Sequence, residues 1–239
     1  MIATFINAGT VILGSILGLL FHGKIPERLK TAVFYGIGIV TLIIGMSMAL
    51  EGSRILILAL ALTLGGVIGT ALGVEDAIHR LGTRIHRLGS KNRLGSKKGD
   101  ASTFAEGFLN ASVLFCVGAL TIIGAFRAGT TGDYELILTK SILDGFMAML
   151  LTSALGIGVA FSALTILVYQ GGLTLLSGVL APVVSELMLA ELTAIGGALI
   201  LMIGVNLLGL TKIKTADFLP ALVFVVAFVL IEPVVGGLL

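Results

Sequence analysis

Apolar stretches of about 20 residues, each long enough to cross a hydrocarbon core of roughly 30 Å as a helix, recur along the chain from Met1 to Leu239. Such a chain has few folds open to it. Lipid offers the backbone no hydrogen-bond partners, so only helices and closed barrels can satisfy it internally. Barrel strands would show as short alternating segments, and these are absent. Of 239 residues 57% are apolar and only 12% are charged, far from the composition of soluble domains. The expected class is an all-α integral membrane protein whose first partner is the lipid bilayer.

Spans are expected at 3–21, 29–49, 54–74, 104–126, 136–157, 160–182, 192–210 and 217–238, about eight in all. The division between the fifth and sixth rests on "SALGIGVAFSA" as a turn inside nearly continuous apolar sequence; seven spans, with one long or bent helix there, is the alternative. The opening "MIATFINAGTVILGSILGLLF" has no basic residue before its apolar stretch and is too long for a signal h-region, so it reads as an uncleaved first span.

Charge sets the orientation. The connection 75–103 carries Arg80, Arg84, Arg87, Lys91, Arg93, Lys97 and Lys98, which places it in the cytoplasm. "HGKIPERLK" and "TKIK" then fall inside, while "LEGSR", "RAGTTGDYE", "SELMLAE" and both termini fall outside, with Arg54 and Arg127 as exceptions. Seven spans would put "TKIK" outside, which favours eight. Within the connection Ile78, Leu81, Ile85 and Leu88 recur at helical spacing among basic residues. That pattern suggests an amphipathic helix on the inner leaflet, with Arg80, Arg84 and Arg87 as a surface for anionic lipid or a partner. His79 and His86 read as part of its solvated face rather than as a pH sensor or metal site.

An internal repeat is visible. "TFINAGTVILGSILG" from Thr4 resembles "GFLNASVLFCVGALT" from Gly107, with the Phe and the Asn-Ala pair in register, and "LGGVIGTALGVE" from Leu64 resembles "LSGVLAPVVSE" from Leu176. Residues 1–74 and 104–182 are therefore expected to be three-helix repeats of opposite orientation, followed by a helix pair at 192–238. Asn7 and Asn110 would occupy equivalent places in the two copies, one nearer the outer face and one nearer the inner, either lining a path or tying helices together.

The remaining polar and small residues sort by depth. Gly14, Gly18, Gly65, Gly66, Gly69 and Gly73 fit small-xxx-small helix packing. Tyr169, Gln170, Gly171 and Gly172 fall near the centre of the sixth span, where paired glycines beside an amide could interrupt the helix and free backbone groups for a solute. Asn206 and Gly209 lie nearer the inner end, where capping explains them. Lys140 and Asp144 stand one turn apart on one face. An isolated charge at the bilayer centre costs about 2.5 to 3.5 kcal/mol. Lys140 is expected within a turn of the outer boundary, free to snorkel, with Asp144 about 6 Å deeper. Asp144 then needs an interior partner, as an anchoring ion pair or as a group that meets a cation, proton or polar solute.

Enzyme chemistry is not expected, because no nucleophile, acid–base or metal-ligand constellation lies within the spans and Asp144 is the only acid placed securely inside one. The single cysteine, Cys116, excludes a disulfide framework. A net charge of +2 is too small to suggest nucleic acid, and no P-loop or other cofactor motif occurs.

The run "ASVLFCVGALTIIGAFRAGTTGDYELILTKSILDGF", with "TFINAGTVILGSILGLL" and "GVNLLGLTKIKTADFLPAL", resembles the YqgA-like family of bacterial inner-membrane proteins, a domain of unknown function (DUF554). The resemblance covers essentially the whole chain. It implies a polytopic helical fold in the bacterial cytoplasmic membrane and no particular substrate. The family often carries a proline in the segment that is "CVGALT" here; Ala119 stands in its place, which puts in doubt a kink in the fourth span. The function expected is a small transporter or channel for an ion or polar solute, its path lined by Asn7, Asn110, Asp144 and Gln170, with Lys140 tuning Asp144. Its small-residue faces suit a homodimer. The alternative is a non-transporting scaffold or sensor acting through the basic helix.

Overall fold

The computed structural model describes residues 1–21, 27–78, 80, 98–116, 119–180, 182 and 184–235. Among these, every regular element is helical: α1 (Ile2–Phe21), α2 (Glu27–Ala49), α3 (Ile55–Leu72), α4 (Lys98–Cys116), α5 (Ala119–Thr130), α6 (Glu135–Leu155), α7 (Ser162–Leu180), α8 (Glu186–Leu207) and α9 (Ala221–Val235). Tighter 3₁₀ turns occupy Gly156–Phe161 and Thr215–Phe218. Large apolar side chains such as Phe5, Leu13, Ile142 and Val223 stand exposed on the outer surface, as they should where the surroundings are hydrocarbon.

Glycine brings the helices together. A Cβ on Gly14 or Gly18 of α1 would meet the backbone of Gly145 or Met149 in α6. Gly45 of α2 lies against Gly197 and Leu201 of α8, and Gly65 and Gly66 of α3 lie against Ala221 and Phe218. Between lipid-facing helices there is little hydrophobic drive, so close backbone approach of this kind supplies the van der Waals contact that holds them. Gly73 serves the backbone instead, closing α3 in the left-handed conformation, φ 63°, as a C-cap.

Four helical stretches are long and apolar enough to cross a membrane: Ile2–Phe21, Ile55–Leu72, Glu135–Val179 and Glu186–Leu207. A fifth is added if Thr103–Cys116 and Leu120–Thr130, inclined at 59°, form one broken span. The eight expected spans are not reached by this measure for two reasons. Phe34–Ala49 and Thr215–Ile231 are apolar but shorter, and Glu135–Val179 counts once although the chain reverses within it. Asp144 and Gln170 are 26 residues apart and would be separated by about 39 Å on one straight helix. One amide, that of Asn7, reaches both. The reversal falls at Gly156, φ 76°, in the segment read as the turn.

A 59° break separates α4 and α5, so a bend is present in the segment where the missing proline put a kink in doubt. Thr121 Oγ1 donates to the Phe115 carbonyl at 3.1 Å and so satisfies a group near the end of α4.

Polar contacts tie the two ends of the bundle. At one end Glu191 of α8 binds Ser53 and Arg54, just before α3. At the other, Glu75 accepts from the Ala216 N–H, Asp217 accepts from the Glu75 N–H, and Lys214 pairs with Asp76. Asn206 exchanges two hydrogen bonds with the Ile213 backbone, at 2.7 and 2.8 Å, and Gly209 turns the chain at φ 71°, the capping role expected of both.

Candidate functional site

Mid-helix in α6 the backbone donors are already spent on the helix itself, so a carboxylate there must be met by side chains. Asp144 is met by two. The Lys140 ammonium forms an ion pair with Asp144 Oδ2, and Asn7 Nδ2 donates to the same oxygen at 3.1 Å. Asn7 Nδ2 also donates to Gln170 Oε1 at 2.9 Å, and Gln170 Nε2 donates to Thr4 Oγ1 at 3.2 Å. The chain thus runs from Lys140 through Asp144, Asn7 and Gln170 to Thr4, across α6, α1 and α7. All five side chains are buried.

Lys140 does not snorkel. It is 6% exposed, turned inward to Asp144, with its ammonium 6.0 Å from the centroid of the Phe115 ring. Two opposite charges so close cost less buried together than the aspartate would alone, which outweighs the pull of the interface on the lysine.

Two oxygens of the network are left over. Asn7 Oδ1 is buried without a partner, and Asp144 Oδ1 makes no hydrogen bond among the described residues. Asp144 and Lys140 line a cavity of about 210 Å³. Its walls are apolar apart from that pair and Glu51, Thr121 and Thr193. Glu51, exposed in the connection after α2, marks the end toward which the cavity leads. Leu114 and Phe115 of α4 and Leu120 and Thr121 of α5 also line it, so the break between those helices borders the ion pair.

The other expected residues fall elsewhere. Gly171 and Gly172 do not interrupt α7, which runs unbroken from Ser162 to Leu180. Gly171 sits beside Met1 and, in α1, Thr4, and Gly172 faces open space. The helical break near the charges is at the α4–α5 junction instead. Tyr169 lies on α7 but takes no part in the network, being 36% exposed. Arg80 is exposed and its Nε donates to the Asp76 carbonyl, on the helical segment 74–78 where the amphipathic helix is expected to begin. Arg84, Arg87, His79 and His86 lie outside the described residues. Among the described residues no three His, Cys, Asp or Glu side chains converge on a metal position.

Asn110 belongs to a second cavity. This one, about 470 Å³, lies at the Lys214 end and is lined by Glu75, Glu106, Asn110, Asn206, Thr211 and Lys212, among others.

One buried acid is not visible in the hydropathy pattern. Glu191 lies fully inside, its Oε1 accepting from Ser53 N (2.8 Å), Ser53 Oγ (3.1 Å) and Arg54 N (2.9 Å), its Oε2 without a partner. Charge and hydropathy place "SELMLAE" in an outer connection, and the structure corrects this. Ser185, whose side chain accepts from Met188 N, is a serine N-cap followed by an acidic first turn. That signal starts the helix at Glu186 and carries Glu191 into the bundle.

The pattern of the family described as "Protein of unknown function (DUF554)" matches residues 2–230. The chain is similar to the uncharacterized protein YqgA of Escherichia coli K12, 31% identical over 222 residues that cover 93% of each chain. It is equally similar to the uncharacterized membrane protein YdfK of Bacillus subtilis 168, 31% identical over 236 residues, 96% of this chain and 97% of that one. No solved structure matches.

Proposed function

Because the chain belongs to the DUF554 family, whose description names no activity, we propose a function from geometry: a membrane transporter or channel for an ion or small polar solute, with Asp144 as the group that meets it. The observation that carries this is a buried carboxylate at a cavity wall with one oxygen unbonded among the described residues. Apolar residues of similar volume are often as stable as a buried ion pair or more so, so helix anchoring alone is a poor reason for Lys140 and Asp144. Ionisable groups inside membranes mark ion and proton paths. A cation or proton entering from the Glu51 end competes with Lys140 for Asp144, and Asn7 and Gln170 hold the carboxylate in place while the partner changes.

The charged ends support an orientation. Arg80, Lys212 and Lys214 gather at one end and Glu51 and Glu191 at the other, which favours a cytoplasmic Lys214 end in a bacterial inner membrane. With the short helices counted and 135–179 taken as two, the reading we adopt is eight spans with both termini outside.

The test is flux. Purified protein in sealed vesicles, assayed with sodium, potassium and pH indicators, should pass at least one of these ions. Asp144→Asn should abolish that flux while leaving helix content and elution volume unchanged. Unchanged flux in the variant removes Asp144 from the path, and no flux of any of the three in the parent protein sinks the ion reading.

A further inference from the structure

The second cavity has its own chemistry, independent of transport. Asn110 is 6% exposed, yet its carboxamide makes no hydrogen bond among the described residues, and it lines the cavity. A buried amide in a membrane bundle ordinarily finds a partner, because leaving it unmade costs free energy comparable to a lost hydrogen bond. Here the partner is absent from the described residues, and the space in front of the amide is roomy enough for a small solute.

The surrounding groups say what kind of solute. Lys214 is paired with Asp76, Glu75 is held by the Ala216 N–H, and Asn206 is consumed by the Ile213 backbone. Glu106 also has a partner already. Lys212, Asn110 and Thr211 also line the cavity, and none of their side chains makes an ion pair or hydrogen bond among the described residues. Three residues with donors, one of them cationic, line one cavity in which Glu75 and Glu106 already have partners of their own, and such donors match an acceptor-rich anion. We propose that this cavity binds an oxyanion, the carboxylate or phosphate group of a small solute or of an anionic lipid head, held by Lys212 and Asn110.

The experiment uses the full chain in phosphatidylcholine nanodiscs, with equilibrium dialysis against radiolabelled inorganic phosphate and, separately, succinate at fixed ionic strength. At least one should bind saturably, and Lys212→Gln and Asn110→Leu should each weaken binding about tenfold or more, the scale of a lost charged hydrogen bond. If neither soluble anion binds but phosphatidylglycerol co-purifies with the parent protein and is lost from both variants, the site is assigned to the lipid head. The proposal is overturned if no anion is held in either form, if both variants bind as tightly as the parent, or if Lys212→Gln instead creates tight sodium or calcium binding. Lys212 is exposed, so its variant decides the matter should Asn110→Leu fail to fold. Asp144→Asn should bind the anion as the parent does, which separates this outcome from the fate of the flux experiment.

Discussion

Asp144 and Glu191 are both carboxylates buried among apolar helices, and they are satisfied in opposite ways. Glu191 lies opposite the start of α3, whose N-cap, Arg54, gives no side-chain hydrogen bond to its own helix. Its Oε1 takes the backbone N–H groups of Ser53 and Arg54 and the Ser53 hydroxyl, so an acid from another helix caps α3 and meets the positive end of its dipole. Asp144 takes no backbone N–H among the described residues. Its partners are the tips of Lys140 and Asn7, and a cavity lies beside it. A buried acid at a helix terminus is fixed by backbone that cannot move without unfolding. One placed mid-helix relies on side chains that can change partner, which is what a passage needs.

The contrast breaks most sharply at Lys140. Replacing it with Met leaves Asp144 as a buried charge without its counter-ion, a loss of about 3 to 5 kcal/mol, read as a lowered midpoint of thermal unfolding in detergent. The double variant Lys140→Met, Asp144→Leu should recover most of that loss, because removing both charges removes the desolvation problem. A single variant as stable as the parent would show that Lys140 is not what makes Asp144 tolerable. Glu191→Ala comes next, leaving two backbone donors and a hydroxyl unmet at a cost of roughly 1 to 3 kcal/mol. Hydrogen exchange at the Ser53 and Arg54 amides should quicken, while flux per folded molecule stays unchanged. Flux lost in Glu191→Gln, which keeps an acceptor in place, would erase the distinction between the two acids.

The two carboxylates also differ in how far sequence reveals them. A charge in an apolar run is visible, so Asp144 stands out; α1 and α3 also fall within two residues of their expected bounds, because hydropathy is a local property. Sequence groups Asn7, Asp144 and Gln170 on one path, but that one amide bonds to both of the others is not legible. They are 137 and 163 positions apart, and which face a helix turns inward is decided by packing partners such as Gly14 on Gly145. Asn110 is legible as a polar residue in an apolar span, and the inverted repeat sets it nearer the opposite face from Asn7; the cavity it lines follows from tertiary contacts. Glu191 is hidden because hydropathy blurs at a span's edge, where only the Ser185 cap marks the true start. The α4–α5 break carries no proline, and the Gly171–Gly172 pair that suggests a break is absorbed by a continuous helix.

Smaller effects test whether the clamp at Glu191 works as a unit. Ser53→Ala removes the hydroxyl bond, the longest of the three at 3.1 Å, and leaves both backbone donors in place. A loss of about 0.5 to 1.5 kcal/mol is expected, below that of Glu191→Ala. Equal losses would mean that the hydroxyl, not the helix start, is what Glu191 serves.

The smallest effect belongs to the exposed pair at the opposite end. Lys214 donates to Asp76 at 2.9 Å, and that hydrogen bond, with the carboxylate's charge, raises the lysine above its ordinary 10.5. A lysine raised on folding contributes stability that is fully present below its unfolded value and is lost as pH climbs through the raised one. Both side chains are more than half exposed, so solvent and salt screen the pair. Lys214→Met should therefore leave the unfolding midpoint unchanged at neutral pH, and the difference from the parent should stay flat between about pH 6 and 9, moving only in more alkaline solution. A drop at neutral pH as large as that of Lys140→Met would mean that depth in the bundle does not govern what an ion pair is worth in this protein.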